Sequence, residues 1–163
     1  MSWSTACKAV LAAWACLACA AAHGNCWREA GGRHGVDPLL LYSIAKVESS
    51  LNPKAVNHNR NGTQDIGLMQ INSIHLPGLA QRGITRQQLL DDPCLSIEAG
   101  AEILAGFIKR FGYTWRAVGA YNAGGADNRE DLRKRYVGRV WQHYLKLAQV
   151  REATRRQAQL VRQ

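Results

Sequence analysis

Along "VDPLLLYSIAKVESSLNP", Leu40, Leu41, Ile44 and Val47 recur at the three- and four-residue spacing of one helix face. Asp37 followed by Pro38 supplies an N-cap and a residue suited to the first helical turn, which predicts a helix beginning at Pro38. Glu48 lies one turn past Ile44 and two past Leu41, so its carboxyl stands on the apolar side of that helix. The next stretch, "NPKAVNHNRNGTQD", has no core-forming face and predicts a loop, with room for a small β-hairpin between Asn57 and Asp65. Thr85 with Gln88 has capping-box spacing for a short helix. From Asp92-Pro93 a longer helix follows, burying Ile97, Ala101, Leu104, Ile108 and Phe111 along one side. "TWRAVGAYNAGG" predicts a helix stopped by Gly124-Gly125, and "DNREDLRKRYVGRVWQHYLKL" a further one. Convincing strand alternation, an internal repeat and a second core are all missing from the pattern. The chain therefore reads as one mainly α domain, followed from residue 148 by a basic tail rich in Arg, Gln and Ala.

Composition changes this picture at the N-terminus. Lys8 precedes an uncharged, Ala-rich run from Ala9 to Ala22, the pattern of a secretory signal peptide over residues 1–22. The run falls short of the roughly 20 residues of a membrane span; a retained anchor is the alternative. Its removal takes one positive charge from the formal +9 of the chain and no acid. So basic a protein favours anionic partners: cell-wall polymers, membrane surfaces or nucleic acid. Export, and the lack of any aromatic–basic readout pattern, argue against nucleic acid. Three of the five cysteines leave with the signal, and the remaining Cys26 and Cys94 predict one disulfide in an oxidising compartment, two buried thiols being the alternative. No HExxH or CxxC occurs, so neither a metal site nor a cofactor is expected.

On spacing alone, Glu48 is first a solvated residue at a helix end. Were that face to line a cleft, burial would disfavour the charged form and raise the pKa into the range of a general acid. Three pieces in order favour the second reading: "ESSLNP" from Glu48, "GLMQIN" from Gly67 and "AYNAGG" from Ala120, with a late Tyr in "YVGRV". Together they resemble the soluble lytic transglycosylases, which carry a goose-type-lysozyme-like α domain and cleave peptidoglycan. The resemblance spans about Cys26 to Leu147, giving a domain over residues 23–147 between signal and tail. The loop "NRNGTQDIGLMQIN" and the cysteine pair look most like small specialised members that serve conjugation, pilus or type III secretion machines.

The resemblance implies a periplasmic monomer acting on glycan strands, with Glu48 as acid and then base and a 1,6-anhydro sugar as product. It implies that Gln70 and Asn122 offer amides to sugar substituents, that Tyr121 and Tyr136 orient Glu48 or stack on a ring, and that Met69 forms an apolar wall or packs in the core. Ser49 contacts substrate or fixes the helix end. Asn57 stands where many members have a Ser that contacts the bound sugar, nine residues after the catalytic Glu. Asp65, the sole acid between Glu48 and "GLMQ", is the candidate second carboxylate. An inverting hydrolase would need it about 6.5–9.5 Å from Glu48 with a water between; otherwise it orders its loop. Two alternatives stay open: a hydrolytic lysozyme on the same fold, and a non-catalytic module that binds the wall or scaffolds a secretion apparatus.

Overall fold

The computed structural model describes residues 25–162; the signal assigned to residues 1–22 lies outside them. The first helix, α1, crosses residues 25–34 and has no counterpart in the sequence pattern. "NCWREAGGRH" holds two glycines and little periodicity, and tertiary contacts override its weak propensity. Cys26 is joined to Cys94 by a disulfide. Trp27 meets Tyr42 edge-on, with ring centroids 5.5 Å apart. Gly31 lets the helix close on the chain, since a Cβ there would fall 2.5 Å from the Val36 carbonyl oxygen.

Helix α2, Pro38–Ser49, starts where the cap predicts, with Asp37 Oδ1 accepting from the Leu39 amide at 2.9 Å. It buries Leu40, Leu41, Ile44 and Ala45 and ends in two left-handed residues, Ser50 and Leu51, with φ of 55° and 67°. The Asn52 side chain accepts from the Lys54 amide and shapes the turn after them. The expected hairpin forms and gains a third strand. β1 (Val56–His58), β2 (Gln64–Ile66) and β3 (Ile71–Asn72) make an antiparallel sheet in that order, with Asp65 opposite both Asn57 and Asn72. Strands of two or three residues are too short to print an alternation.

Between β2 and β3 the chain turns through Gly67 to Gln70. Gly67 has φ 73°, and a Cβ on it would lie 2.5 Å from the Leu89 carbonyl oxygen, so glycine is required twice over. Helices α3 (Leu76–Ala80) and α4 (Arg86–Asp91) follow, α4 opening with both bonds of the Thr85–Gln88 capping box. α5 (Pro93–Phe111) is capped by Asp92, α6 (Trp115–Ala123) by Thr114, and α6 ends at Gly124 with φ 75°. α7 (Glu130–Leu160) is one continuous helix of 31 residues, so the tail beyond residue 147 extends it. α7 lies against α2 and α6, and α6 against α5. Tyr136 and Val140 carry α7 into the common core beside Leu41, Ile44, Ile97 and Leu104. Among the described residues, no helix is long and apolar enough to cross a membrane.

Candidate active site

Glu48 sits at the last turn of α2, which packs on α7 and whose end Ser49 ties to the turn between β2 and β3. Its Oε1 accepts from the Tyr136 hydroxyl at 2.7 Å. Burial pushes the carboxyl up from 4.5 to about 7. The bond from Tyr136 opposes that rise, the charge of Asp65 adds to it, and Arg139 and the Asn122 amide pull it down. A carboxylic acid with that value divides evenly between acid and base at neutral pH, which suits it to both halves of a proton relay. Arg139 lies 5.5 Å from the centroid of the Tyr136 ring, so α7 brings both a cation and a phenol to the acid on α2. Burial, the Glu48 charge and their shared bond hold the Tyr136 phenol well above its usual range.

Glu48 opens on a cleft of about 470 Å³. Its polar lining comes from the amides of Asn59, Asn61, Gln70, Asn72 and Asn122. Asp65 shares the cleft; its two carboxylate oxygens accept from Asn59 (2.9 Å) and Asn72 (2.7 Å). Arg60, Arg129 and Leu132 complete the walls. One wall is the sheet with its turns; the other is the end of α6 and the start of α7.

Among the residues singled out from sequence, Glu48, Asp65, Gln70, Tyr121 and Asn122 are brought together around this cleft, with Tyr136 directly behind Glu48. Gln70 is largely committed to the chain: Nε2 donates to the carbonyls of Gly67 (2.7 Å) and Ala55 (3.2 Å), and Oε1 accepts from Asn57 (2.6 Å). Asn57 thus reaches the cleft through Gln70. Gln70 holds a left-handed φ of 50°, a conformation its side-chain bonds help to fix. Ser49 points away, its hydroxyl donating to the Leu68 carbonyl at 2.7 Å and tying the end of α2 to the "GLMQ" turn. Met69 is fully buried, with its side chain packed against Gly100 of α5, so the core alternative fits its placement. Its carbonyl accepts from the Tyr121 hydroxyl at 2.8 Å, which braces the two walls. Among the described residues no cluster of His, Cys, Asp or Glu is placed to hold a metal ion.

Sequence reading missed Asn59, Asn72, Arg60, Arg129 and Leu132. The density of Asn in "NHNRNGTQDIGLMQIN" was a usable signal for the first two; nothing local distinguishes Arg129 or Leu132.

Comparison with known proteins bears on the family and the fold. The family described as "Transglycosylase SLT domain" matches residues 25–143. The chain is 49% identical over 126 residues to "Invasion protein IagB" of Salmonella typhimurium, covering 77% of this chain and 79% of that one. It is 40% identical over 124 residues to "Protein IpgF" of Shigella flexneri, covering 76% and 82%. Among solved structures, an inactive Glu→Gln mutant of the lytic transglycosylase Slt from Pseudomonas aeruginosa superposes with a TM-score of 0.63 at 22% identity. That match covers 78% of this chain and 24% of the other and shows a shared fold.

Proposed function

The chain belongs to the transglycosylase SLT-domain family of peptidoglycan lytic transglycosylases, and from that premise we propose that Glu48 opens the β-1,4 bond between N-acetylmuramic acid and N-acetylglucosamine. Protonated Glu48 gives its proton to the bridging oxygen as the bond to muramic acid C1 breaks. The resulting carboxylate then takes the proton of the muramic acid C6 hydroxyl, whose oxygen bonds to C1. The product is a 1,6-anhydro ring, and no water is consumed. One protein carboxylate suffices because the nucleophile belongs to the substrate, unlike the paired carboxylates of most glycosidases.

The observation that carries this reading is a carboxyl that burial raises to about 7, oriented by Tyr136 and facing a cleft rich in side-chain amides. Amides suit acetamido and hydroxyl groups, which donate and accept in equal measure. A specific observation also favours a second reading. Asp65 lines the same cleft and its charge acts on Glu48, as a hydrolase employing an Asp would require. Digestion of purified peptidoglycan followed by mass spectrometry separates them: anhydro-muramoyl ends support transglycosylation, and reducing ends hydrolysis. No soluble product would leave the wall-binding module.

The basic charge, the cysteine pair and the likeness to a protein named for invasion support an exported enzyme. In this proposal residues 1–22 are the signal, 23–147 the catalytic domain and 148–163 the basic tail. The enzyme opens the wall locally in the periplasm for a secretion, conjugation or pilus apparatus. Fractionation that left the processed chain in the cytoplasm would end that placement.

A further inference from the structure

The cleft holds two kinds of ligand-facing group, and the glycan backbone accounts for one of them. Its amides fit N-acetylated sugars, whose backbone carries no charge where the lactyl carboxyl of muramic acid is amide-bonded to a stem peptide. Arg60 and Arg129 have no counterpart on such a backbone. Each lines the cleft, Arg60 on the sheet wall and Arg129 on the wall between α6 and α7.

The turn carrying Arg60 is braced by its neighbours. The Asn59 amide donates to the Thr63 carbonyl (2.8 Å), and the Asn59 side chain reaches Thr63 and Asp65. Asn61 Oδ1 accepts from the Thr63 hydroxyl at 2.8 Å. Arg60 is the side chain this turn does not use, and it forms no hydrogen bond or ion pair among the described residues. Arg129 gives one long bond, Nη1 to the Ala123 carbonyl at 3.3 Å, and meets no acid among the described residues. Nearby Arg133 supplies the contrast: buried, paired with Glu130, and bonded to the carbonyls of Gly124 and Ala126, it already does the structural work of closing that loop.

We propose that Arg60 and Arg129 bind carboxylates of the stem peptide on muramic acid, so that the enzyme selects peptide-bearing strands over bare glycan. The guanidinium fork matches a carboxylate through paired hydrogen bonds. In peptide-bearing strands the lactyl carboxyl is tied up in an amide, so the carboxylates belong to the stem peptide, which hangs from the lactyl group of the reacting muramic acid. Leu132, 44% exposed in the same wall, offers an apolar surface to alanine methyls of that peptide. A role for these arginines in tuning the acid is not what their placement supports, because the cation acting on the Glu48 carboxyl is Arg139.

The proposal rests on the transglycosylase reading and is tested so that the two can fail separately. Anhydro-product formation is measured on peptide-bearing strands and on strands stripped by an amidase whose freed lactyl carboxyls are then converted to amides, for the purified protein and for Arg60→Gln and Arg129→Gln. The unaltered protein is expected to prefer peptide-bearing strands. Each substitution should lower that preference roughly tenfold through KM, without moving the pH profile. Arg60→Lys, keeping the charge without the fork, should restore part of it. Binding of a disaccharide-peptide to Glu48→Gln protein, against the disaccharide with its lactyl carboxyl converted to an amide, gives the same comparison without turnover. Equal turnover of both strands, or an unchanged preference in folded variants, overturns the peptide site and leaves the reaction standing. Absence of anhydro product from either strand overturns both.

Discussion

Glu48 departs from an ordinary surface carboxylate because burial outweighs the bond from Tyr136. Two consequences follow at this scale. The acid step needs the proton, so turnover is expected to fall as pH rises through about 7, read as the basic limb of kcat/KM. Folding is linked to the same proton. The folded chain holds it to about pH 7 and the unfolded chain loses it near 4.5, so this group's stabilisation is complete below 4.5 and lost across that interval. The loss is on the order of 3 kcal/mol. Glu48→Gln should therefore reduce activity by at least a hundredfold and yet melt higher than the parent protein at pH 8, with little difference at pH 4.5. A folded Glu48→Gln protein that retained turnover would remove Glu48 from the mechanism. Tyr136→Phe deletes a donor that favours the carboxylate, so the basic limb should move to higher pH. Turnover should drop roughly tenfold as the base step loses its partner.

At the scale of elements, the legible parts were those whose signals are local. Asp37-Pro38, Thr85 with Gln88, Asp92-Pro93 and Gly124 each mark a helix boundary because a cap is decided within four residues. α1 was not legible, since its helix depends on a disulfide, an edge-on ring pair and a close approach at Gly31. The same division holds in the site. Glu48, Gln70, Tyr121 and Tyr136 stand in recognisable runs, whereas Arg129 and Leu132 belong to the cleft only because α6 and α7 fold back on the sheet. Asp37 shows how much one cap can carry. Besides starting α2, it accepts from the Tyr144 hydroxyl at 2.9 Å and from Arg151 at 3.2 Å, fastening α7 to the helix that bears Glu48. Asp37→Ala should cost about 2 kcal/mol in denaturant unfolding, and Asp37→Asn less, since Asn still caps.

Over the whole molecule, the Tyr121–Met69 bond ties the two walls across the cleft, and the disulfide ties α1 to the start of α5. The disulfide closes a separation of 68 residues, for which loop entropy predicts about 4 kcal/mol. Cys94→Ser should accordingly lower the midpoint of chemical unfolding, as should a reductant acting on the parent protein. An equal midpoint with and without reductant would contradict the constraint. The α7 extension beyond residue 151 is largely exposed, so removing residues 156–163 should leave the melting temperature within about 2 °C.

That disulfide also divides the chain unevenly. Glu48, Asp65 and Gln70 lie inside the closed loop, and Tyr121, Asn122 and Tyr136 outside it. A chain with both cysteines reduced lacks that constraint on the segment carrying the acid, and the missing contribution of about 4 kcal/mol is a large fraction of the roughly 5–15 kcal/mol by which domains are stable. Oxidation of the pair thus acts as a clasp on the segment that carries the acid: closing it tightens the scaffold around Glu48 without touching the residues that face it from α6 and α7.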